Sequence, residues 1–180
     1  MKNRTIVTDF PRISELGSDL LQISWCQRVR TLSLPFMFCL AFWVFACYGL
    51  WLFAFLALVA MSFITYGSTS HDLVHHNLGL KRSTNELFLS VIEAISLRSG
   101  HAYQVVHLNH HAQYPEEDDI EAEASRMSLL RAILEGFIFQ IRIYLWALRN
   151  PRGRLRWIVA EGVVVICFIL AAVIAIPFTL

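Results

Sequence analysis

A long stretch without charge constrains the fold of this chain more than any other feature. Residues 31–66 contain no Asp, Glu, Lys or Arg and are rich in Phe, Leu and Ala. At about 1.5 Å of rise per residue, one helix over this stretch would extend roughly 54 Å, whereas the hydrocarbon core of a bilayer is about 30 Å thick. The stretch therefore predicts either one helix that projects from the bilayer or two shorter helices in a hairpin that turns around residues 47–49.

The positions of the basic residues favour the hairpin. All fifteen Lys and Arg lie in residues 1–30 or 81–156, and basic residues mark the cytoplasmic side of membrane proteins. Two positive flanks require an even number of crossings, so we expect spans over residues 33–49 and 50–70. The N-terminal segment is too charged for a secretory signal and is expected to remain in the cytoplasm.

A third apolar run covers residues 157–178. Four arginines precede it and no basic residue follows it, so this run is expected to leave the cytoplasm as a third span. Glu161 lies about one turn inside the run. Its carboxylate is either a buried ligand or proton relay, or it reaches the interface or pairs with one of the four arginines, and we favour the second interpretation.

Composition places the whole chain, residues 1–180, in a single membrane domain. Hydrophobic residues make up 56% of the chain and the mean hydropathy is +0.52, above the values of ordinary soluble domains. The formal net charge of +1 offers no electrostatic footprint for nucleic acid, and no nucleic-acid-binding motif is present. We predict an all-α fold of multi-span integral membrane helices with interfacial amphipathic helices and a cytosol-facing histidine-rich loop.

That loop, residues 71–156, holds every histidine and two amphipathic segments. Residues 83–98 open with a predicted capping box of Ser83 and Glu86, and residues 129–149 place Arg and Glu at helical spacing. We expect two helices that lie in the membrane interface with their apolar sides toward lipid. The alternative is that both pack as ordinary core helices.

The histidines recur at helical spacing. His71 and His75 are at i and i+4, so they project from one face of a helix. His107, His110 and His111 are at i, i+3 and i+4 and share a second face. Five imidazoles exceed the three or four ligands of one zinc ion, which favours two metal ions.

Other polar residues near these two sets have two interpretations each. His76 lies about 140° round the helix from the first histidine, so its role as a ligand stays open. His101 needs a bend to join the others, and we favour an ordinary buried histidine. Asp72 accepts the free N–H of a ligating histidine or is a solvated loop acid. The acidic run 115–119, which ends at Asp119, supports the ligands in the same way or forms a solvated acidic turn.

These motifs carry a family resemblance. "HDLVHH" at residues 71–76 and "HLNHH" at 107–111, both behind a hydrophobic hairpin, resemble the first two histidine boxes of the membrane fatty acid desaturase superfamily, which includes carotenoid ketolases and hydroxylases and alkane hydroxylases. The similarity covers about residues 33–125 and includes "SGHAYQVVHLNHH", with an aromatic residue before the second box. The first box of the family often has glycine where this chain has His76.

The resemblance implies a membrane-bound oxidoreductase that uses O2 to desaturate or hydroxylate a lipid substrate, fatty acyl or carotenoid-like. It implies two iron ions (a non-haem di-iron site) on the cytoplasmic face and an external electron donor of the ferredoxin, rubredoxin or cytochrome b5 type. The family also has a third box, HxxHH, after a further pair of spans, and none follows His111 here. We therefore expect an incomplete portion of such a protein, or a chain completed by another chain. The metal ligands that the resemblance implies by position are His71, His75, His107, His110 and His111, with His76 as a further candidate.

Three alternatives stay open. A membrane zinc hydrolase would use an HExxH pattern, in which glutamate activates water, but "HDLVH" has aspartate there. A non-catalytic membrane metal-binding or transport protein would bind metal without turnover, and a structural remnant would do neither. Iron content and dependence on O2 and a reductant distinguish the oxidoreductase from the others.

Overall fold

The computed structural model describes residues 22–114 and 119–175, and these contain seven α-helices and no strand. The predicted all-α fold is confirmed. A π-helical turn, Thr65–Thr69, joins the second helix to the third, and a short 3-10 helix, Glu123–Arg126, precedes the sixth. The helices are α1 (Trp25–Cys47), α2 (Trp51–Ile64), α3 (Ser70–Val74), α4 (Arg82–Ile95), α5 (Gly100–Gln113), α6 (Leu129–Arg149) and α7 (Leu155–Ala175).

Among the described residues, three helical stretches are long and apolar enough to cross a membrane: Trp25–Cys47, Trp51–Val74 and Leu155–Ile174. Large apolar side chains cover their outer surfaces, and Phe63, for example, is 76% exposed. Soluble proteins rarely expose such continuous apolar surface, whereas lipid solvates it. The prediction of multi-span membrane helices is confirmed.

The ends of these stretches differ in part from the predicted spans. The first helix begins at Trp25 because Ser24 and Gln27 form a reciprocal capping box, with N···O distances of 2.9 and 3.2 Å. Most of the predicted cytoplasmic N-terminal segment, residues 1–21, lies outside the described residues, as do residues 176–178 of the predicted third span.

α1 and α2 pack together as a helical hairpin. The connection between them is short, and Gly49 in it has a φ of +69°, a backbone conformation that glycine adopts without steric cost. A short connection of this kind makes consecutive helices antiparallel neighbours. The arginine-rich start of α1 therefore lies on the same side of the molecule as the histidine-bearing end of α3, and Arg28 Nε donates to the carbonyl of Leu78 at 2.7 Å.

The structure corrects the predicted start of α4. This helix begins at Arg82 after Lys81, and no side chain caps it, so the capping box predicted from Ser83 and Glu86 is wrong. Glu86 instead pairs with Arg82 at 3.3 Å and with Arg154 at 2.8 Å. The reason is electrostatic, since two guanidinium groups bind a carboxylate more strongly than a single backbone N–H does.

α4 and α6 each expose apolar side chains on one side and pack against protein on the other. Leu87 on α4 and Leu130 on α6 are 61% and 69% exposed. On the inner side of α6, Ile143 and Ala147 pack with Ile158 of α7 and with apolar residues of α5. The two helices thus hold α5 and α7 in place while they keep an apolar outer surface.

The structure also corrects the expected environment of Glu161. This residue is only 6% exposed and pairs with no arginine in the described residues. Its carboxylate instead accepts from the backbone N–H of His101 at 3.0 Å, from the imidazole Nδ1 of the same residue at 2.7 Å, and from Ser99 Oγ at 2.7 Å. Glu161 is therefore buried against protein, where the N-terminus of α5 supplies its donors.

Candidate metal centre

Two pairs of histidines, one from α3 and its end and one from α5, meet between the helices. Each ring lies beside two others, with centroid separations of 4.7 Å (His71–His75), 4.6 Å (His107–His111), 4.9 Å (His71–His107) and 4.7 Å (His75–His111). Each ring offers one nitrogen, and the four nitrogens lie within 4.8 Å of one another. We call these residues the four-histidine group.

The π-helical turn before α3 determines where the first pair points. It widens the helix by one residue over Thr65–Thr69, and Thr65 Oγ1 donates to the carbonyl of Met61 at 2.6 Å. An extra residue rotates everything that follows around the helix axis. Hydropathy and histidine spacing give no sign of this rotation, yet it helps to aim His71 and His75 at α5.

The nitrogen separations fit a transition-metal ion. His111 Nε2 lies 3.1 Å from both His75 Nε2 and His107 Nε2. Two nitrogens that each lie about 2.1 Å from one ion are about 3.0 to 3.4 Å apart when they subtend angles between the octahedral and tetrahedral values. His111 therefore stands at the spacing of a shared-ion ligand from both His75 and His107.

Burial and the neighbouring histidines both favour the neutral form of two of the rings. Burial lowers the pKa of His75, because it disfavours the imidazolium, and the neighbouring His71 and His107 lower it further. The pKa of His111 is lowered for the same reasons, burial first and then His107. Neutral imidazole is the form that binds metal, so both rings favour the protonation state that a metal ligand requires.

Glu121 orients one ring of the group. Both of its carboxylate oxygens lie 3.0 Å from His107 Nδ1. Because a carboxylate accepts and does not donate, Nδ1 carries the proton and Nε2 presents its lone pair to the group. Tyr66 Oη donates to Glu121 at 2.9 Å, and Tyr103 Oη donates to the carbonyl of Tyr66 at 3.2 Å.

Sequence reasoning missed Glu121, because it considered the acidic run only as far as Asp119. The signal was present, since acidic residues continue beyond that point along the same run. Asp119 folds the chain back, as its Oδ1 accepts from the backbone N–H groups of Glu121 and Ala122 at 3.1 and 3.3 Å. The rest of the predicted acidic run, residues 115–118, lies outside the described residues.

His110 stands next to the four-histidine group and is not one of its members. Its ring centroid lies 5.6 Å from that of His111 and 6.0 Å from that of His107. Asp119, only 1% exposed, accepts from His110 Nδ1 at 2.6 Å. The carboxylate contact leaves Nε2 as the nitrogen that is available to a ligand.

The structure places His76 and Asp72 away from the four nitrogens. α3 ends before His76, which has a φ of +56° and is exposed. The left-handed backbone at this position turns its side chain off the face that carries His71. Asp72 Oδ1 accepts from Asn77 Nδ2 at 3.3 Å, so this carboxylate closes the turn after α3.

His101 occupies a different environment. Its ring is fully buried, stacks on Trp157 with a centroid separation of 4.9 Å, and pairs with Glu161. This is the buried histidine that we favoured from the sequence, although its acidic partner was not foreseen. It ties the start of α5 to α7.

Comparison with known proteins bears on the identity of the chain. The sequence model of the family described as Fatty acid desaturase matches residues 43–180. The match covers more than half of the chain and includes the last five residues of α1, both pairs of the four-histidine group and all of α7. No curated protein and no solved structure matches the chain significantly. With its three span-length helices and its convergent histidines, the chain belongs to the fatty acid desaturase family.

Proposed function

We propose that this chain carries part or all of the active site of a membrane-bound oxidoreductase that uses O2 to desaturate or hydroxylate a lipid, fatty acyl or carotenoid-like. The observation that carries the proposal is the convergence of four imidazole nitrogens within 4.8 Å of one another, at the end of helices that are long and apolar enough to span a membrane. Membership of the fatty acid desaturase family supports the reaction class.

The bond that the proposed reaction breaks requires an oxidant. An unactivated C–H bond has no acidic proton, so acid–base groups alone do not cleave it, and an oxidant is required. Imidazole is a ligand that suits iron. Iron bound in this group would supply the electron-transfer chemistry that activates O2.

The donor set fits one ion directly and a second ion with further ligands. The four-histidine group supplies enough nitrogens for one ion. We propose His110 as a ligand of the second ion, because its ring lies beside that of His111 and Asp119 orients it. The remaining ligands of a di-iron site would come from groups beyond these five histidines.

The residues of this chain prepare the site in three ways. Glu121 and Asp119 hold protons on the Nδ1 atoms of His107 and His110, so that the Nε2 atoms face a ligand. The apolar outer faces of the helices deliver the site to the edge of the lipid. The arginine distribution supports a cytoplasmic position of this edge, where a ferredoxin, a rubredoxin or a cytochrome b5 would supply electrons.

The test is a comparison of metal content and lipid oxidation in one preparation. The chain is reconstituted in nanodiscs with iron, O2, a reductase and ferredoxin, and lipid products are measured by mass spectrometry. We expect iron in the protein and an O2-dependent lipid product, both lost in His107→Ala. Ala112→Ser, at an exposed position beside His111, is the control and should retain both.

Other outcomes would contradict the proposal. A zinc-loaded protein that hydrolyses a lipid without O2 would identify a hydrolase. Bound metal without any lipid product, under conditions in which the reductant is consumed by a control enzyme, would identify a metal-binding protein.

A further inference from the structure

A cavity of about 370 Å³, lined by both polar and apolar side chains, borders the four-histidine group between the end of α3, the middle of α5 and the loop that joins α6 to α7. His75, a member of the group, forms part of its wall. The other polar side chains of the wall are His76, Gln104, Arg152 and Arg154, and the rest of the lining is apolar. The cavity therefore joins a basic loop directly to the candidate metal centre.

The electrostatics of the cavity favour an anion. Arg154 is partly neutralised by Glu86 at 2.8 Å. Arg152 donates to the side-chain oxygen of Asn109, a neutral amide, and within residues 22–114 and 119–175 it forms no salt bridge. Residues 149–156, which form this loop and the adjoining ends of α6 and α7, contain four arginines and no acidic residue. An anion in the cavity would meet a guanidinium whose charge these contacts leave uncompensated.

The backbone holds these side chains in place at a conformational cost. Three non-glycine residues among the described ones have positive φ angles, and two of them, His76 at +56° and Arg152 at +43°, line this cavity. Such conformations persist where the surrounding structure determines them. Pro151 and Gly153 flank the arginine in a tight turn, and the bond to Asn109 fastens its guanidinium to α5. The guanidinium is thus held against α5 by this bond, while Arg152 as a whole remains exposed.

We propose that this cavity binds the carboxylate or phosphate group at one end of the lipid substrate, with Arg152 and Arg154 as its partners. The inference rests on the proposed function for the idea that the lipid is a substrate, and it adds that the substrate carries an anionic end. Because His75 lines the same cavity, an anion held there anchors the lipid beside the metal site. The apolar part of the lining accepts the first carbons of the tail.

The test is equilibrium binding to the full chain in phosphatidylcholine nanodiscs, measured with radiolabelled dodecanoate against a background of empty nanodiscs. We expect saturable binding that Arg152→Gln weakens about tenfold or more, because a charged hydrogen-bond partner is lost. Arg156→Gln is the matched control, since this arginine lies four residues further along the chain, in the first turn of α7, and outside the cavity. It should bind as the wild type does. Methyl dodecanoate, which has the same tail and no charge, should bind no better than background.

Competition identifies the source of the anion. If neither acetate nor inorganic phosphate displaces the bound dodecanoate, the occupant is the charged end of a lipid, as proposed. If either small anion competes as well as unlabelled dodecanoate does, the site takes free anions and the lipid part of the inference is wrong. Equal binding by the wild type and Arg152→Gln, or equal binding of the methyl ester, would overturn the inference altogether.

The readout separates this inference from the proposed function. Binding is measured without turnover, so the binding experiment gives a result even if the protein oxidises no lipid. Conversely, lipid oxidation that is indifferent to Arg152→Gln would leave the oxidoreductase in place and exclude the anion site.

Discussion

Glu121 meets Nδ1 of His107 with both carboxylate oxygens, each at 3.0 Å, across a stretch of chain that includes the acidic run. The same carboxylate accepts the hydroxyl of Tyr66 from the second span-length helix. One acidic side chain thus links the two helices that carry the four-histidine group. Its contact with His107 makes Glu121 a direct test of the proposed metal site.

Removal of the Glu121 carboxylate should weaken metal binding without removing a ligand. We expect Glu121→Ala to reduce the affinity for Fe²⁺ or Co²⁺ by about 10- to 100-fold, the range found when the carboxylate partner of a ligating histidine is lost. Glu121→Gln should cost less, because its amide oxygen still accepts from Nδ1. Chelator competition measures both affinities. Glu123→Gln, two residues away and paired with Arg142, serves as the control, and an unchanged affinity in Glu121→Ala would refute the role.

The buried pair of His101 and Glu161 should contribute strongly to stability. Loss of one partner leaves a buried group uncompensated, at a cost of about 3–5 kcal/mol. Glu161→Leu should therefore lower the thermal midpoint in detergent markedly. Val164→Leu, on an exposed face of the same helix, should leave it nearly unchanged. If the Glu161→Leu protein had the same thermal midpoint as the wild type, the pair would be dispensable for stability.

The ion pairs of Glu86 should make stability depend on pH in acid. Burial raises the pKa of this carboxyl, but hydrogen bonds from Arg154 and Arg82 outweigh burial, so the pKa is lowered from 4.5. A carboxyl with a lowered folded-state pKa stabilises the fold fully above its unfolded-state pKa, and that contribution is lost as the pH falls through the folded-state value. The stability difference between wild type and Glu86→Gln should thus be constant above pH 4.5 and shrink below it. Denaturant unfolding across this range measures the difference, and a gap that widens in acid would have the wrong sign.

Two glycines in neighbouring helices should respond to alanine in opposite ways. A Cβ on Gly162 of α7 would lie 2.0 Å from the hydroxyl oxygen of Tyr144, which donates to the carbonyl of Ile158. Gly162→Ala should push this ring aside and cost about 1–3 kcal/mol.

Gly136 of α6 is the matched control for that substitution. A Cβ there would have nothing within 4 Å, so Gly136→Ala should stabilise the helix by up to about 1 kcal/mol. Thermal unfolding of both variants in the same detergent compares them. A stabilised Gly162→Ala would show that α6 and α7 separate easily at this contact.

Several features of the site could not be predicted from the sequence, for identifiable reasons. The capping box of Ser83 and Glu86 is a local expectation. Glu86 instead pairs with two arginines, and one of them, Arg154, lies far along the chain. Glu161 was expected near the interface, yet donors at the start of α5 hold it inside the protein. In both cases a long-range contact prevailed over a local preference, as is common for charged side chains near a core.

The sequence by itself determined the features that depend on local periodicity and on the length of apolar runs. An uncharged run far longer than a bilayer is thick requires spanning helices, and histidines one turn apart share a helical face wherever that helix lies. Only the tertiary structure decided that the two histidine pairs meet. The contact between His75 and His111 joins residues 36 positions apart, and it depends on the π-helical turn before α3 and on the packing of α5 against α4, α6 and α7. Which imidazoles converge, and which carboxylate orients them, is set by that packing because no local pattern records the distance between two helices.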